Sequence, residues 1–273
     1  NGMMEIARSG IYNPSMFSFN EVMIIFLSVM IADIILLDIF NSLGLPTSTT
    51  VSIVFELLGA AVCLAVIKIL MQDGDLSTIY QYINTKKASE IVFSILLSVA
   101  LSFMLGSLVQ YISRVIFTFQ TQDRIRKYGA IFGGFAISFI SFFILVKGMK
   151  DVSFISKETL TYIKTHQLMI LAGLFVGWTI ISQVLMSFFK INILKLIIVI
   201  GTFALALSFA GNDLVNFIGV PIAAIQSFQF FSAVPGLDPN TYLMTELASN
   251  EIVAPIYYLF IAGSVMVITL WTS

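Results

Sequence analysis

Two short polar stretches lie inside long apolar regions of this 273-residue chain. The first is PTSTT at residues 46–50, in which a proline is followed by four consecutive hydroxyl side chains. Proline favours the first turn of a helix and serine or threonine caps its free N–H groups, so a helix is predicted to begin here. A helix N-terminus carries partial positive charge and unpaired N–H donors, and both suit an anion. The stretch therefore predicts an anion site or a structural cap at Ser48 and Thr49, and its spacing leaves both open.

The second stretch is SFAGNDLVNFIGVP at residues 208–221, which places Asp213 deep within apolar sequence. A carboxylate inside a membrane segment is costly, so it is a functional candidate by default. On a helix Asn212 and Asn216 share a face, and Asp213 is adjacent to Asn216. Their oxygens suit a small hard cation, whereas the asparagine amides can donate to an anion. The alternative is a buried polar network that holds helices together.

Three further carboxylates, Asp33, Asp38 and Glu56, also lie in apolar sequence. The two aspartates are five residues apart and do not share a helix face well. Glu56 follows Ser48 by about two helical turns and is a candidate proton or cation site, or a partner for Lys68 or for another helix. A membrane-embedded enzyme would need such carboxylates to converge on one site. Because no histidine or cysteine cluster supports that chemistry, no enzyme activity is expected.

The composition indicates an all-α integral membrane protein. Hydrophobic residues make up 58% and charged residues 11% of the chain, whereas soluble domains are about 45–50% apolar and about 25% charged. The apolar runs are long and continuous, which favours helices over a barrel. The net charge of −1 argues against nucleic acid as a partner. About seven membrane-length segments are predicted: 20–41, 49–71, 89–111, 129–146, 167–189, 192–210 and 251–271.

Glycine and proline residues predict where these helices break or pack closely. An apolar piece at 214–230 follows the segment 192–210 and contains Gly219 and Pro221. Residues 192–230 are therefore predicted to form a broken or re-entrant element. The stretches GAIFG at 129–133 and GLFVG at 173–177 have small residues four apart, a spacing that allows close helix packing in lipid.

The two polar stretches together resemble the motifs of the inorganic phosphate transporter (PiT) family. That family carries G-A-N-D-x-x-N-A and G-x-P-[VI]-S-[ST]-T-H elements in each of two inverted repeats. Residues 44–50, GLPTSTT, resemble the second element, and residues 210–216, AGNDLVN, resemble the first. The sequence departs from the family pattern at Val51, where the family has histidine, and at Thr47, where it has valine or isoleucine. Glu56 stands where the family usually has a small residue.

The resemblance implies an inverted-repeat secondary transporter with broken or re-entrant helices. In that scheme residues 1–71 end the first repeat, residues 72–191 connect the repeats with membrane helices and polar links, and residues 192–273 begin the second repeat. The partner motifs would lie before residue 1 and after residue 273. An internal fragment of a longer protein is therefore expected.

The resemblance also implies symport of inorganic phosphate by alternating access, with Na⁺ or H⁺ as the coupling ion and no other cofactor or metal. The expected partners are inorganic phosphate and the lipid bilayer, with a homodimer left open. The expected location is the cell (plasma or inner) membrane, with several spans. Phosphate would be bound by Ser48, Thr49, Thr50, Asn212 and Asp213, and the cation by Asn212, Asp213, Asn216 and Glu56. The alternatives are transport of another oxyanion such as sulfate, or a membrane scaffold or sensor that does not transport.

Overall fold

The computed structural model describes residues 6–72, 74–117, 121–148, 162–163, 165–248 and 256–272. Within these ranges the chain contains no strand, and only two isolated bridges, Tyr12 with Ile83 and Ser18 with Leu243, pair extended residues. The predicted all-α class is confirmed. The α-helices longer than four residues are α1 (Phe19–Ser42), α2 (Thr49–Met71), α3 (Thr85–Phe117), α4 (Thr121–Gly148), α5 (Gln167–Ser187), α6 (Ile193–Ser232) and α7 (Ile256–Thr272), and a π-helix covers Ile6–Gly10.

Six of these helices, α1 to α6, are long and apolar enough to cross a membrane. The seventh predicted segment, 251–271, corresponds to the shorter apolar helix α7, and its first residues, 251–255, lie outside the described ranges. The prediction of a broken element at 192–230 is wrong, because α6 is one continuous helix of 40 residues with Pro221 inside it. Proline removes one N–H donor, but in an apolar segment a helix still satisfies the remaining backbone groups.

The start of α1 is fixed by a capping box that also binds a lysine of α2. The Ser18 hydroxyl accepts from the Glu21 N–H at 3.4 Å, and the Glu21 carboxylate accepts from the Ser18 N–H at 2.7 Å. The same carboxylate oxygen accepts from Lys68 Nζ at 2.8 Å. Lys68 Nζ also donates to the Met16 carbonyl at 3.0 Å and lies 5.9 Å from the ring centroid of Phe17. These contacts connect the C-terminal end of α2 to the N-terminal end of α1.

The link between α1 and α2 is short and turns sharply at Gly44, whose φ is +65°. This left-handed conformation favours glycine because other side chains are strained there. After the link, Ser48 caps α2 by accepting a hydrogen bond from the Val51 N–H at 3.5 Å. The helix predicted to start at the PTSTT stretch therefore begins at Thr49, and the structural cap at Ser48 is confirmed. The two antiparallel neighbours then pack through buried residues that include Val29 and Leu57.

The chain divides into two compact units, Asn1–Val99 with Asn212–Ser273 and Ala100–Gly211. The first unit contains α1, α2 and the C-terminal part of α6, so both polar stretches from the sequence lie within it. Its core joins α1 and α2 to the N-terminal segment and to residues 220–223 of α6. The division into 1–71, 72–191 and 192–273 concerns transporter repeats rather than compactness, and it stays a prediction.

In the second unit, α4 and α5 pack closely where glycines remove side-chain bulk. A Cβ atom on Gly134 would overlap the side chain of Thr179, and a Cβ atom on Gly133 would lie 3.0 Å from the Ser182 hydroxyl. The close packing predicted for GAIFG at 129–133 is confirmed. Gly173, in the second glycine pair, has no neighbour within 4 Å of an added Cβ. That pair does not form a close helix contact within the described residues.

Candidate functional site

The beginning of α2 is hydrogen-bonded to the middle of α6. Thr49 Oγ1 donates to Asp213 Oδ1 at 2.7 Å. Asn216 Nδ2 donates to Thr49 Oγ1 and to Thr50 Oγ1, both at 2.8 Å. Asn216 is buried, with only 1% of its surface exposed, and Asp213 is partly buried. Four polar side chains, from two segments that are more than 160 residues apart in sequence, thus form one network.

Charge and hydrogen-bond capacity in this network are closely matched. A threonine hydroxyl can donate one hydrogen bond. Thr49 donates it to Asp213 and accepts a hydrogen bond from Asn216. The partial positive charge at the N-terminus of α2 further stabilises the Asp213 carboxylate beside it. Asp213 is thus the acceptor for a hydroxyl that could otherwise donate to an anion. A ligand oxygen can accept the hydrogen bond of the Thr49 hydroxyl only by exchanging with the carboxylate oxygen.

A second polar cluster follows on the same side of α2, because Thr49, Ser52 and Glu56 are three and four residues apart. Ser52 Oγ lies 3.1 Å from Asp33 Oδ1 and 2.6 Å from Glu56 Oε1. Asp33 belongs to α1 and is 2% exposed. Glu56 Oε2 is buried and has no hydrogen-bond partner in the part of the chain that the structure describes.

The second cluster has two hydrogen-bond contacts but only one hydroxyl proton to form them. The single Ser52 hydroxyl proton can be donated to Asp33 or to Glu56, but not fully to both. Both contacts are satisfied when one carboxyl group carries a proton and donates it to the hydroxyl oxygen. They are also satisfied when a cation bridges the oxygens. The arrangement is therefore suited to hold one proton or one small cation.

Comparison with known families gives an independent result for the whole chain. The model of the phosphate transporter family matches residues 1–273. The chain belongs to the phosphate transporter family. No match was found among curated proteins or among solved structures. Family membership agrees with the resemblance of the two motifs, with six membrane-length helices in a multi-pass integral membrane protein, and with transport of phosphate rather than enzymatic chemistry.

The residues predicted to bind phosphate and the cation are found in four different places in the structure. Thr49, Thr50, Asp213 and Asn216 are brought together in the first network. Ser48 lies next to them as the helix cap. The side chain of Asn212 lies outside the described part of the structure, although its backbone belongs to α6. Glu56 is in the second cluster and is hydrogen-bonded to Ser52.

Sequence reasoning missed the pairing of Asp33 with Ser52. The spacing of Ser52 and Glu56, four residues apart, indicates a shared helix face, but nothing in the sequence connects either residue to Asp33. Glu56 does not bind Lys68, which instead pairs with Glu21 at 2.8 Å. Asp38 is exposed and does not join the cluster, so the three carboxylates considered for an enzyme do not converge.

Proposed function

We propose that this member of the phosphate transporter family carries out symport of inorganic phosphate, coupled to Na⁺ or H⁺, by alternating access. The observation that carries the proposal is the set of hydrogen bonds between the N-terminus of α2 and the middle of α6. These bonds join a group of anion-compatible donors to a carboxylate. Transporters commonly build substrate and ion sites from helix ends and polar groups within the membrane.

In the proposed bound state, phosphate accepts hydrogen bonds from Thr49, Thr50 and the N–H groups at the start of α2. Ser48, Asn212 and Asp213 complete the proposed binding set. The hydroxyls donate without adding a fixed charge, and the helix N-terminus contributes partial positive charge. The observed bond from Thr49 to Asp213 supports this arrangement, because that hydroxyl already serves a negatively charged oxygen.

The same bond provides a reason for coupling phosphate to a cation. When phosphate accepts the hydrogen bond from the Thr49 hydroxyl, Asp213 loses that hydrogen-bond donor. The Asp213 carboxylate then also lies close to another negative charge. Two unit charges about 5 Å apart repel by about 3 kcal/mol at an effective dielectric constant of about 20. A cation held by Asn212, Asp213 and Asn216 would offset this repulsion. Binding of the anion and the cation would therefore be mutually favourable.

Glu56 is proposed as a second position for the coupling ion, together with Asp33 and Ser52. The sharing of one Ser52 hydroxyl proton between two carboxyl groups supports occupation by a proton or by a small cation. Thr49 and Ser52 lie one helical turn apart on α2. An ion at the second cluster would then lie along the same helix face as the proposed phosphate site.

The function is tested by uptake of radiolabelled phosphate into proteoliposomes that contain the complete gene product. A Na⁺ gradient and a proton gradient are imposed separately, and unlabelled phosphate or sulfate is added as competitor. Uptake driven by one gradient and inhibited by phosphate would support the proposal and identify the ion. Stronger inhibition by sulfate would favour another oxyanion as substrate. Phosphate binding without gradient-driven flux would favour a scaffold or sensor and contradict the proposal.

A further inference from the structure

Four helix ends meet at one side of the second compact unit. A Cβ atom on Gly129 in α4 would lie 3.0 Å from Met186 Cε in α5 and 3.2 Å from Ile193 Cγ2 in α6. The ring of Phe117, the last residue of α3, contacts the ring of Phe132 in α4, with the two centroids 4.8 Å apart. The end of α3, the first part of α4, the end of α5 and the start of α6 are therefore neighbours.

The charge at these helix ends is strongly positive. Residues 111–128 and 188–192, which we call the basic end, contain one acidic residue, Asp123, and five basic residues, so their net charge is +4. All five basic side chains are exposed, and none forms an ion pair within the described residues: Arg114, Arg124, Arg126, Lys127 and Lys190. A cluster of exposed cations without acidic partners attracts negatively charged groups from outside the chain.

Three of these cations lie in the first two turns of α4, where helix stability does not favour them. A helix N-terminus carries partial positive charge, so basic residues near it are unfavourable. Asp123 is the one acidic residue in the first turn of this helix. Arg124 and Lys127 are three residues apart and therefore also repel each other on the helix surface. An external anion beside α4 would offset both unfavourable terms.

Aromatic side chains place the basic end at the boundary between hydrocarbon and water. Phe188 and Phe189, directly after α5, are 80% and 68% exposed and are followed by Lys190. Lys127 Nζ lies 5.3 Å from the ring centroid of Tyr128. Exposed aromatic rings beside cations are typical of membrane interfaces. Because α4 and α5 are long and apolar enough to cross a membrane, lipid headgroups would border these ends.

We propose that the basic end binds the headgroups of anionic phospholipids. The guanidinium groups of Arg114, Arg124 and Arg126 can each donate two hydrogen bonds to a phosphodiester, and the two lysines contribute point charges. Clusters of four to eight basic residues next to membrane helices are suited to such lipids. The basic end belongs to the second compact unit, whereas the proposed transport site belongs to the first. This inference therefore does not depend on the proposed function.

The test measures which lipids surround the basic end in a bilayer. Ser187 is exposed and is the last residue of α5. Ser187→Cys carries a fluorophore in the complete gene product, in a background without other cysteines that includes Cys63→Ser. The protein is reconstituted into phosphatidylcholine vesicles. These contain an equal small fraction of either phosphatidylglycerol or phosphatidylcholine with a nitroxide near the headgroup end of one acyl chain. The nitroxide quenches the fluorophore only at short range, so quenching reports the local concentration of each lipid.

One combined variant removes the charge of α4, and a second combined variant keeps it. The first carries Arg124→Gln, Arg126→Gln and Lys127→Gln. The second carries Arg124→Lys, Arg126→Lys and Lys127→Arg and is the matched control, because it changes the same three positions without changing the net charge. Both use residues with good helix propensity, so α4 should form in each.

The wild-type protein should enrich phosphatidylglycerol over phosphatidylcholine by about fivefold or more, since about 1 kcal/mol for one basic residue near a membrane surface corresponds to that factor. The glutamine variant should lose most of this preference, whereas the charge-conserving variant should keep it. High salt should also reduce it, because exposed charges are screened.

Equal quenching by the two lipids in the wild-type protein, or an unchanged preference in the glutamine variant, would overturn the proposal. Loss of the preference on addition of inorganic phosphate, but not of NaCl at equal ionic strength, would identify a free anion as the occupant and would also overturn it. The salt dependence and the charge-conserving variant keep the test decisive if the glutamine variant does not fold.

Discussion

Replacing Asp213 by asparagine removes the negative charge from the network at the start of α2 while preserving its shape. The Asn side chain has nearly the same volume, and its oxygen can still accept the hydroxyl proton of Thr49, which now contacts Asp213 at 2.7 Å. The variant should therefore insert and fold. In the proposed mechanism, the variant loses the electrostatic attraction between the carboxylate and the coupling cation.

The size of this loss follows from Coulomb's law. A unit charge about 4 Å from a cation contributes about 4 kcal/mol at an effective dielectric constant of about 20. Because Asp213 is only partly buried, water screens part of this attraction, and about 2–3 kcal/mol remains. That corresponds to about 30- to 150-fold weaker cation binding. At cation concentrations near the wild-type half-saturation value, phosphate uptake should be almost abolished.

Uptake of radiolabelled phosphate is measured in proteoliposomes as a function of the driving cation. Asp213→Asn should need a much higher cation concentration for half-maximal uptake, and high concentrations should restore part of the activity. Asp38→Asn is the matched control, because Asp38 is an exposed carboxylate on α1 outside both polar clusters. Unchanged cation dependence in Asp213→Asn, with normal insertion, would refute the role of this carboxylate.

Three further substitutions test the other contacts. Ser52→Ala removes the hydroxyl that joins Asp33 to Glu56, so gradient-driven uptake should fall by about tenfold, the effect of one hydrogen bond to a charged group. Gly134→Val forces a side chain against Thr179, so the midpoint of thermal unfolding in detergent should fall by the equivalent of about 1–3 kcal/mol. Lys68→Met removes the ion pair at the α1 cap, so this midpoint should fall modestly, by about 1 kcal/mol, while the cation dependence of uptake stays unchanged.

Matched variants separate these effects from general damage. Ser28→Ala removes an exposed hydroxyl of α1 that bonds only its own helix, and its uptake should equal that of the wild type. Gly173→Val adds a side chain where nothing lies within 4 Å, and it should unfold at the wild-type temperature. Lys195→Met removes an exposed lysine at the start of α6 and serves as the control for Lys68. Equal effects within any of these pairs would contradict the corresponding structural role.

Much of the fold could be predicted from the sequence because membrane helices are encoded locally. Long apolar runs determined the positions of α1 to α5, and the proline and hydroxyl residues before Thr49 indicated the start of α2. Pro221 gave a wrong prediction of a break in α6. The prediction considered only the one backbone hydrogen bond that proline removes. Breaking the helix would instead leave several backbone groups without partners within an apolar segment, which costs more free energy.

The candidate site was predictable as residues but not as an arrangement. The sequence alone identified Thr49, Asp213 and Asn216, because polar side chains in apolar segments are costly and therefore conspicuous. The contact between Thr49 and Asp213 spans 164 residues, and no helical periodicity extends that far. The bond from Ser52 to Asp33 likewise depends on how α1 packs against α2. The sequence by itself thus determined the membrane class, the helix positions and the polar candidates. Only the tertiary structure decided which of these side chains form hydrogen bonds with one another, because such interactions act over a few ångströms in space.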